Sequence, residues 1–291
     1  MNYYSLNQKL KNEYGCKVYK LALDGGFTCP NRDGTLGTRG CIFCLDGSGA
    51  FSEKKRRSVT EQIELAKKRV SAKTKDGKYI AYFQSYTATY ADPEYLERLF
   101  TEAINHPDVL ILSIGTRPDC LGKEVLSLLS RLTKIKPVWV ELGLQTTKEE
   151  SVRYIRRGYQ NEVYKKAVRD LHDIGVEVIT HVILGLPGES REDMKNTVRY
   201  AVDCGTDGIK LQLLHVLSGT DLEKDYKAGK FKALEMDEYI DILCDCLSII
   251  PKNVVIHRLT GDGDKKNLVA PLWSVDKKRV LSAINEQLKK R

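Results

Sequence analysis

Five short apolar runs, at 79–84, 109–115, 138–144, 176–185 and 208–216, alternate along the chain with four amphipathic stretches at 92–104, 121–134, 161–174 and 190–203. Runs this short, flanked by Gly, Pro or polar residues, read as buried strands, and the 3.6-residue periodicity between them reads as helices. Strands joined through helices in this way must be parallel, with right-handed crossovers. Residues 16–23 add a strand before the series and 60–73 a helix, which makes six βα units, too few for a closed eight-stranded barrel. The fold expected is therefore α/β, an open partial (β/α)6 barrel. Residues 1–15 read as a polar lead-in packed onto it. Residues 219–291 read as a small C-terminal extension packed on a core of 1–218, with helices at 236–250 and 275–290 and a short strand at 254–258.

The loop after the first strand carries Cys29, Cys41 and Cys44 in the spacing Cys-x11-Cys-x2-Cys, with Phe43 before the last thiol. A structural zinc site closes with four protein ligands, and no Cys or His follows soon after Cys44; Cys16 is the one cysteine that can fold back, although it reads as a half-buried strand residue. Three thiolates on a 4Fe-4S cluster would instead leave one iron open for an exogenous ligand. Spacing alone leaves both readings standing.

Charge and composition exclude little. The 47 basic and 39 acidic residues leave a net charge of +8, a moderate excess that favours an anionic partner such as RNA. No apolar run is long enough to span a membrane, and the polar segment 1–11 lacks the apolar core of a signal peptide, so the expectation is a cytoplasmic protein whose eight cysteines stay reduced. The run Lys54-Lys55-Arg56-Arg57 is a solvated face or an RNA phosphate contact.

Ligand sites in parallel α/β folds lie at the C-terminal ends of the strands, and each end here is polar. Gln84 closes the second strand. Thr116 and Arg117 close the third, with Asp119 placed either to share a ligand or simply to pin the turn. Gln145 closes the fourth, and Arg156-Arg157-Gly158 follows. Gly185-Leu186-Pro187-Gly188-Glu189 after the fifth opens a helix whose N-terminus favours an acceptor. His181 is an acid-base candidate or a hydrogen-bonded core residue. Lys210, Gln212 and His215 stand at alternating or near-alternating positions along the sixth strand, so some of them face the interior, and His257 lies on the short strand of the extension; Lys210, His215 and His257 are the candidate catalytic groups. Cys244 and Cys246, two apart on a helix, point away from each other and read as core thiols, as do Cys120 and Cys204.

Cys29-Pro30-Asn31-Arg32-Asp33-Gly34, followed by Gly40-Cys41-Ile42-Phe43-Cys44, resembles the cluster loop of radical S-adenosylmethionine (SAM) enzymes related to the Elongator catalytic subunit, and more narrowly the YhcC/YtqA (MnmL) branch. The resemblance implies a half-barrel with a 4Fe-4S cluster held by Cys29, Cys41 and Cys44. It implies SAM contacts at Phe43, Gln84, Thr116, Arg117, Gln145 and Arg157, although Gln84 stands where many relatives have Gly-Gly-Glu. The Gly185–Glu189 turn resembles the one that flanks adenine, and His257 to Asp264 resembles a substrate-side segment of the branch. The implied reaction converts 5-carboxymethylaminomethyl-(2-thio)uridine at the tRNA wobble position to the 5-aminomethyl nucleoside through a 5'-deoxyadenosyl radical. A reductant such as flavodoxin or ferredoxin and a methyltransferase acting on the freed amine are the implied partners. A radical SAM enzyme acting on a metabolite or protein, and a non-catalytic metal-stabilised RNA-binding module, are the alternatives.

Overall fold

Tyr79–Phe83 (β2) is buried at every position, as an unbroken apolar run requires of a strand covered on both faces. Val109–Thr116 (β3), Val138–Gln145 (β4), Glu177–Leu184 (β5) and Gly208–Leu213 (β6) are buried at all but one or two positions, and Tyr19–Leu23 (β1) precedes them. In the computed structural model, residues 3–45, 57–73, 77–261 and 265–291 are described; Lys54, Lys55, Arg56, Asp262, Gly263 and Asp264 lie outside them.

The helices between these strands start where their sequences say they should. Val59–Val70 (α2) begins at a Ser58/Glu61 capping box, Pro93–Asn105 (α3) at Asp92 with Pro93 in its first turn, and Arg191–Asp203 (α7) at a Ser190/Asp193 capping box. With Lys123–Leu132 (α4) and Asn161–His172 (α6), they cover the outer face of the sheet, whereas the short Glu149–Tyr154 (α5) lies beside the cysteine loop.

The strand order is β1-β2-β3-β4-β5-β6, extended by Val255–Arg258 (β8) beside β6, with every pairing parallel. The six βα units are present, and the short strand of the extension supplies a seventh strand to their sheet. Adjacent strands lie about 4.8 Å apart, so β1 and β4 of a flat sheet would be separated by about 14 Å. Lys20 Nζ on β1 is nevertheless 2.5 Å from Glu141 Oε1 on β4, and Lys210 Nζ on β6 reaches Tyr82 Oη on β2 at 3.3 Å. The sheet curls into a half-barrel.

The lead-in is more ordered than its polarity suggests. Leu6–Tyr14 (α1) is a helix with a Ser5/Gln8 capping box and Gly15 in the left-handed region at its C-terminus. Its Leu6, Leu10 and Tyr14 lie on one stripe and join Val18, Ile80, Ile111, Trp139 and Ile179, plugging the N-terminal end of the barrel with an apolar floor. Each fully buried Ile or Leu there contributes about 2 kcal/mol.

In the extension, Val216–Leu217 (β7) pairs antiparallel with Leu268–Ala270 (β9), Asp221–Lys227 (α8) follows β7, and Met236–Ser248 (α9) packs on the core with Lys277–Lys290 (α10) behind it. Cys244 and Cys246 are buried on α9, as core thiols. Among the described residues, no helix is long and apolar enough to cross a membrane.

Candidate active site

The cysteine loop leaves β1 at the C-terminal mouth of the half-barrel and is anchored at both ends. The Asp24 N–H donates to Gln62 Oε1 at 2.9 Å while Gln62 Nε2 donates to the Asp24 carbonyl at 3.0 Å, tying the loop to α2. Phe27 then inserts into the core, 6.1 Å from the ring of Phe83. Past Cys29 the chain makes a single turn, with the Arg32 N–H on the Cys29 carbonyl at 2.8 Å. Asn31, buried, ties the far side: its Nδ2 donates to the Arg156 carbonyl at 2.7 Å and to Cys41 Sγ at 3.4 Å.

The three thiols share one electrostatic neighbourhood. Burial, then the adjacent Cys44 and Cys29, push Cys41 up to about 11, against the opposing effects of the Asn31 hydrogen bond and the Arg117 charge. Iron must displace that proton to bind. Thiolates around one zinc, with bonds of about 2.3 Å, would stand about 3.8 Å apart. Among the described residues, only Glu64, His106 and Asp108 bring three ligand atoms within 4.8 Å of one another, and Lys67 Nζ already sits on both of those carboxylates at 2.7 and 2.6 Å. The thiols are spread wider, which suits a cubane whose irons take one thiolate each.

Around the mouth, the residues tied by resemblance to SAM divide into two kinds. Gln145 has φ +64° and folds back over Gly143, where an added Cβ would lie 2.7 Å from Gln145 Nε2. Its Oε1 is buried with no hydrogen-bond partner, an acceptor that a ribose hydroxyl or ammonium would satisfy. Phe43 packs against the apolar cluster that includes Ile183, Leu186 and Leu214, at or just past the ends of β5 and β6, and Gln84 stands half-buried at the end of β2. These fit an adenosyl ligand. Thr116 shares a hydrogen bond with Thr89 Oγ1 at 2.6 Å, and Arg117 grips Asp119 with two prongs at 2.9 and 2.7 Å, the turn-pinning arrangement. Burial works against the Arg117 charge, but Asp119 more than offsets it and holds its pKa above the ordinary value.

Arg157 is a correction. It is buried, and its guanidinium donates to the carbonyls of Leu144, Thr146 and Tyr159 and to Asn161 Oδ1, five hydrogen bonds of 2.7–3.1 Å for five N–H groups. No donor remains for a SAM carboxylate, and the residue locks the turn after β4 instead. The N-terminus of α7 is likewise filled from within the chain: Asp193 completes its capping box and pairs with Lys148 at 2.9 Å. Cys120 is not a core thiol either; half-buried beside Asp119, it lines a cavity with Pro30 and Leu36 next to the cysteine loop.

Below the mouth, the inner faces of the strands converge on Glu141. Its Oε1 accepts from Lys20 at 2.5 Å and Ser113 at 2.9 Å, and its Oε2 from Tyr82 at 2.9 Å, His181 at 2.7 Å and Lys210. Burial alone would raise its pKa, but the two lysines hold it well below the usual carboxylate range. His181 is drawn down to about 4, by burial first and then by Lys210, and so is neutral near pH 7. Sequence reading named Lys210 and missed the hub, although a carboxylate inside the apolar run 138–144 was its signal. Two of the three catalytic candidates share one electrostatic neighbourhood, since His257 feels the charges of Lys20, Glu141 and Lys210. Lys210 meets Glu141, His257 stacks edge-on against Trp139 at 5.3 Å, and His215, beyond the end of β6, backs onto Gly261, where a Cβ would come within 2.6 Å of its ring.

A Radical SAM superfamily profile matches residues 34–201, and a Radical_SAM C-terminal domain profile matches residues 206–290. The chain belongs to the radical SAM superfamily and is an enzyme of that class, whose cofactors are a 4Fe-4S cluster and SAM. It is 44% identical over 290 residues to the uncharacterized protein YtqA of Bacillus subtilis, across 99% of this chain and 90% of that one. Over 154 residues, 52% of this chain and 28% of the relative, it is 32% identical to a tRNA uridine(34) acetyltransferase of Methanocaldococcus jannaschii. The structure of the archaeal Methanocaldococcus infernus Elp3 superposes with a TM-score of 0.70 at 21% identity, over 94% of this chain and 63% of that one. At that identity the likeness is one of fold, and this chain spans less than two thirds of that structure.

Proposed function

We propose that Cys29, Cys41 and Cys44 hold the 4Fe-4S cluster and that the enzyme acts on the wobble uridine of tRNA, removing the carboxymethyl unit from a 5-carboxymethylaminomethyl group to leave the 5-aminomethyl nucleoside, with or without 2-thiolation. The observation that carries this reading is the gathering of the three thiols on one anchored loop, at the mouth of a chamber lined by polar side chains. When bound, the cluster and SAM supply a 5'-deoxyadenosyl radical. Phe43, Gln84 and Gln145 line its binding site, while Thr116 and Arg117 hold the turns behind it. A substrate carbon flanked by nitrogen and carboxylate is a good hydrogen donor, because both groups stabilise the radical left behind. The balance is substrate, SAM and water giving the free amine, glyoxylate, 5'-deoxyadenosine and methionine, with a net hydride passing from substrate carbon to adenosyl carbon.

The tRNA assignment is supported by the relative named as a tRNA uridine(34) acetyltransferase and by the charge of +8. It is supported too by a cavity of about 680 Å³ on the outer side of the cysteine loop, rimmed by Arg39, Arg153 and Arg156. A cytoplasmic enzyme, a flavodoxin or ferredoxin as electron donor, and a methyltransferase that takes up the freed amine complete the reading. The test is anaerobic reconstitution with iron and sulfide, then reduction with SAM, with and without tRNA carrying the carboxymethylaminomethyl nucleoside. The expected result is tRNA-dependent 5'-deoxyadenosine with matching glyoxylate and loss of the carboxymethyl mass. SAM cleavage indifferent to that tRNA would replace tRNA by a small-molecule substrate.

A further inference from the structure

We propose that the cavity of about 680 Å³ on the outer side of the cysteine loop seats one unpaired nucleotide of an RNA, a neighbour of the nucleotide that is modified, with its phosphates on Arg39 and Arg153 and the donor edge of its base on Asn31 Oδ1. Asn31 is 5% exposed and lines the cavity. Its Nδ2 spends its two hydrogens on the Arg156 carbonyl at 2.7 Å and on Cys41 Sγ at 3.4 Å, which fixes the amide. Oδ1 then faces Gly158, a second lining residue, where an added Cβ would come within 3.1 Å of it. Glycine leaves that approach open. Among the described residues no donor reaches Oδ1, so a buried side chain holds an acceptor toward the hollow without a partner, as a site built for a ligand's N–H would.

The rim supplies the counter-charge for phosphate. Arg39, Arg153 and Arg156 line the cavity, and among the described residues no acid does. The acids nearest them stand outside it: Asp221 is held by Arg156 at 2.7 Å and lies 3.7 Å from Arg39, while Glu149 and Glu150, about one turn before Arg153 on α5, each lie 3.6 Å from it. Separations of 3.6 and 3.7 Å are beyond hydrogen-bond reach, so the guanidinium groups of Arg39 and Arg153, on side chains 69% and 68% exposed, keep their N–H groups for a guest. A guanidinium fork matches the geometry of phosphate, and its plane stacks on a base. Leu36, 53% exposed, adds an apolar wall.

An RNA loop suits this hollow better than a protein face does. Ligand sites enclose about 300–1,000 Å³. A base splayed from a single strand fills such a site, whereas a flat partner lying on the rim would leave it empty. The occupant is not the nucleotide that reacts. Asn31 and Gly158 form a wall of the cavity, with Cys41 Sγ and the Arg117 guanidinium behind them. The cavity therefore takes a nucleotide that stays outside the chamber while its neighbour enters. That the RNA is tRNA rests on the function proposed above, whereas the open acceptor, the arginines and the lack of acid in the lining do not.

The first measurement titrates reconstituted holoenzyme into a fluorescent RNA hairpin carrying the unmodified anticodon loop, by anisotropy, across a salt series. Arg39→Ala and Arg153→Ala should each lower the slope of log K against log salt by about 0.7, the share of one phosphate contact on a single strand. Arg131→Ala, in the last turn of α4 at the floor end of the barrel, should leave it unchanged. Gly37 lines the cavity with room for a side chain, an added Cβ meeting nothing nearer than the Asn31 carbonyl at 3.6 Å. Gly37→Leu should fill the hollow and weaken the hairpin about tenfold with every charge in place. A slope indifferent to both arginine variants, or lowered as much by Arg131→Ala, would overturn the site; if Gly37→Leu fails to fold, the exposed arginines still decide. Uridine monophosphate binding as tightly as the hairpin would replace RNA by a free nucleotide. Slower cluster reduction by flavodoxin in the arginine variants, with hairpin binding intact, would give the face to an acidic protein instead. The second measurement is the KM for the modified tRNA, expected to rise about tenfold in the double arginine variant with kcat kept. A wild-type enzyme that binds the hairpin through these arginines but leaves the modified nucleoside intact refutes the proposed reaction and keeps the site; turnover at wild-type KM in the double variant does the reverse.

Discussion

Among the described residues, Tyr86, Gln145 and Arg156 are the non-glycine residues with positive φ; Gln145 ends β4 at the barrel mouth, and Tyr86 and Arg156 contact Arg32 and Asn31 of the cysteine loop. Such conformations cost about 1–3 kcal/mol each and persist where surrounding contacts hold them. For Gln145 the contact is Gly143: with no Cβ there, the side chain folds back and leaves Oε1 buried and unsatisfied. In Gly143→Ala the new methyl group would strike only the flexible end of Gln145. The expected change in unfolding free energy is therefore under about 1 kcal/mol, while Gln145 is displaced from the site. Equilibrium dialysis of the reconstituted enzyme should show SAM bound about tenfold more weakly. Unchanged SAM affinity would mean that Gln145 does not touch the ligand. Arg157 teaches the opposite lesson: a guanidinium at the expected place can have every donor engaged by its own backbone.

The helix α1 shows what a polar segment can do once the fold gives it a surface. Only Leu6, Leu10 and Tyr14 are apolar at helical spacing, too few to reveal a helix in advance, yet they close the barrel floor. Leu10 is 3% exposed, and Leu10→Ala should lower stability by about 2–4 kcal/mol in urea unfolding. A loss below about 1 kcal/mol would mean that α1 is an ornament on the floor. The strands β2 to β6 were legible because each is an apolar run between punctuating residues, and the right-handed crossover rule then fixed their direction. The segment 254–258 was legible as a strand, but its place beside β6 was not, since local pattern says nothing of strand order. The cysteine loop was the most legible part of the site. The Glu141 hub was the least, because Lys20 and Glu141 are 121 positions apart and meet only when the sheet curls.

Taken together, the barrel has an apolar floor, a charged middle layer and a mouth ringed by the cysteine loop, and its histidines report on the middle layer. His181 has a folded-state value of about 4 against about 6.5 in an unfolded chain. Above pH 6.5 both states are neutral and its contribution is fully present. As pH falls from 6.5 toward 4 the unfolded chain takes up the proton first, so stability drops, by up to about 3 kcal/mol. His257, pushed the same way by burial, adds to this fall. Carboxylates such as Asp193, held at about 2 chiefly by Lys148, lose their contribution only at lower pH. The slope of unfolding free energy between pH 6.5 and 4 should shrink in His181→Gln; an identical slope would place the charged layer elsewhere. The decisive observation for the whole arrangement is electron paramagnetic resonance of the anaerobically reconstituted, reduced protein, with and without SAM. A reduced 4Fe-4S signal that SAM perturbs, and that Cys29→Ala, Cys41→Ala or Cys44→Ala abolishes while circular dichroism stays native, is the expected result. A signal indifferent to SAM, or one that survives loss of these thiols, would contradict the account.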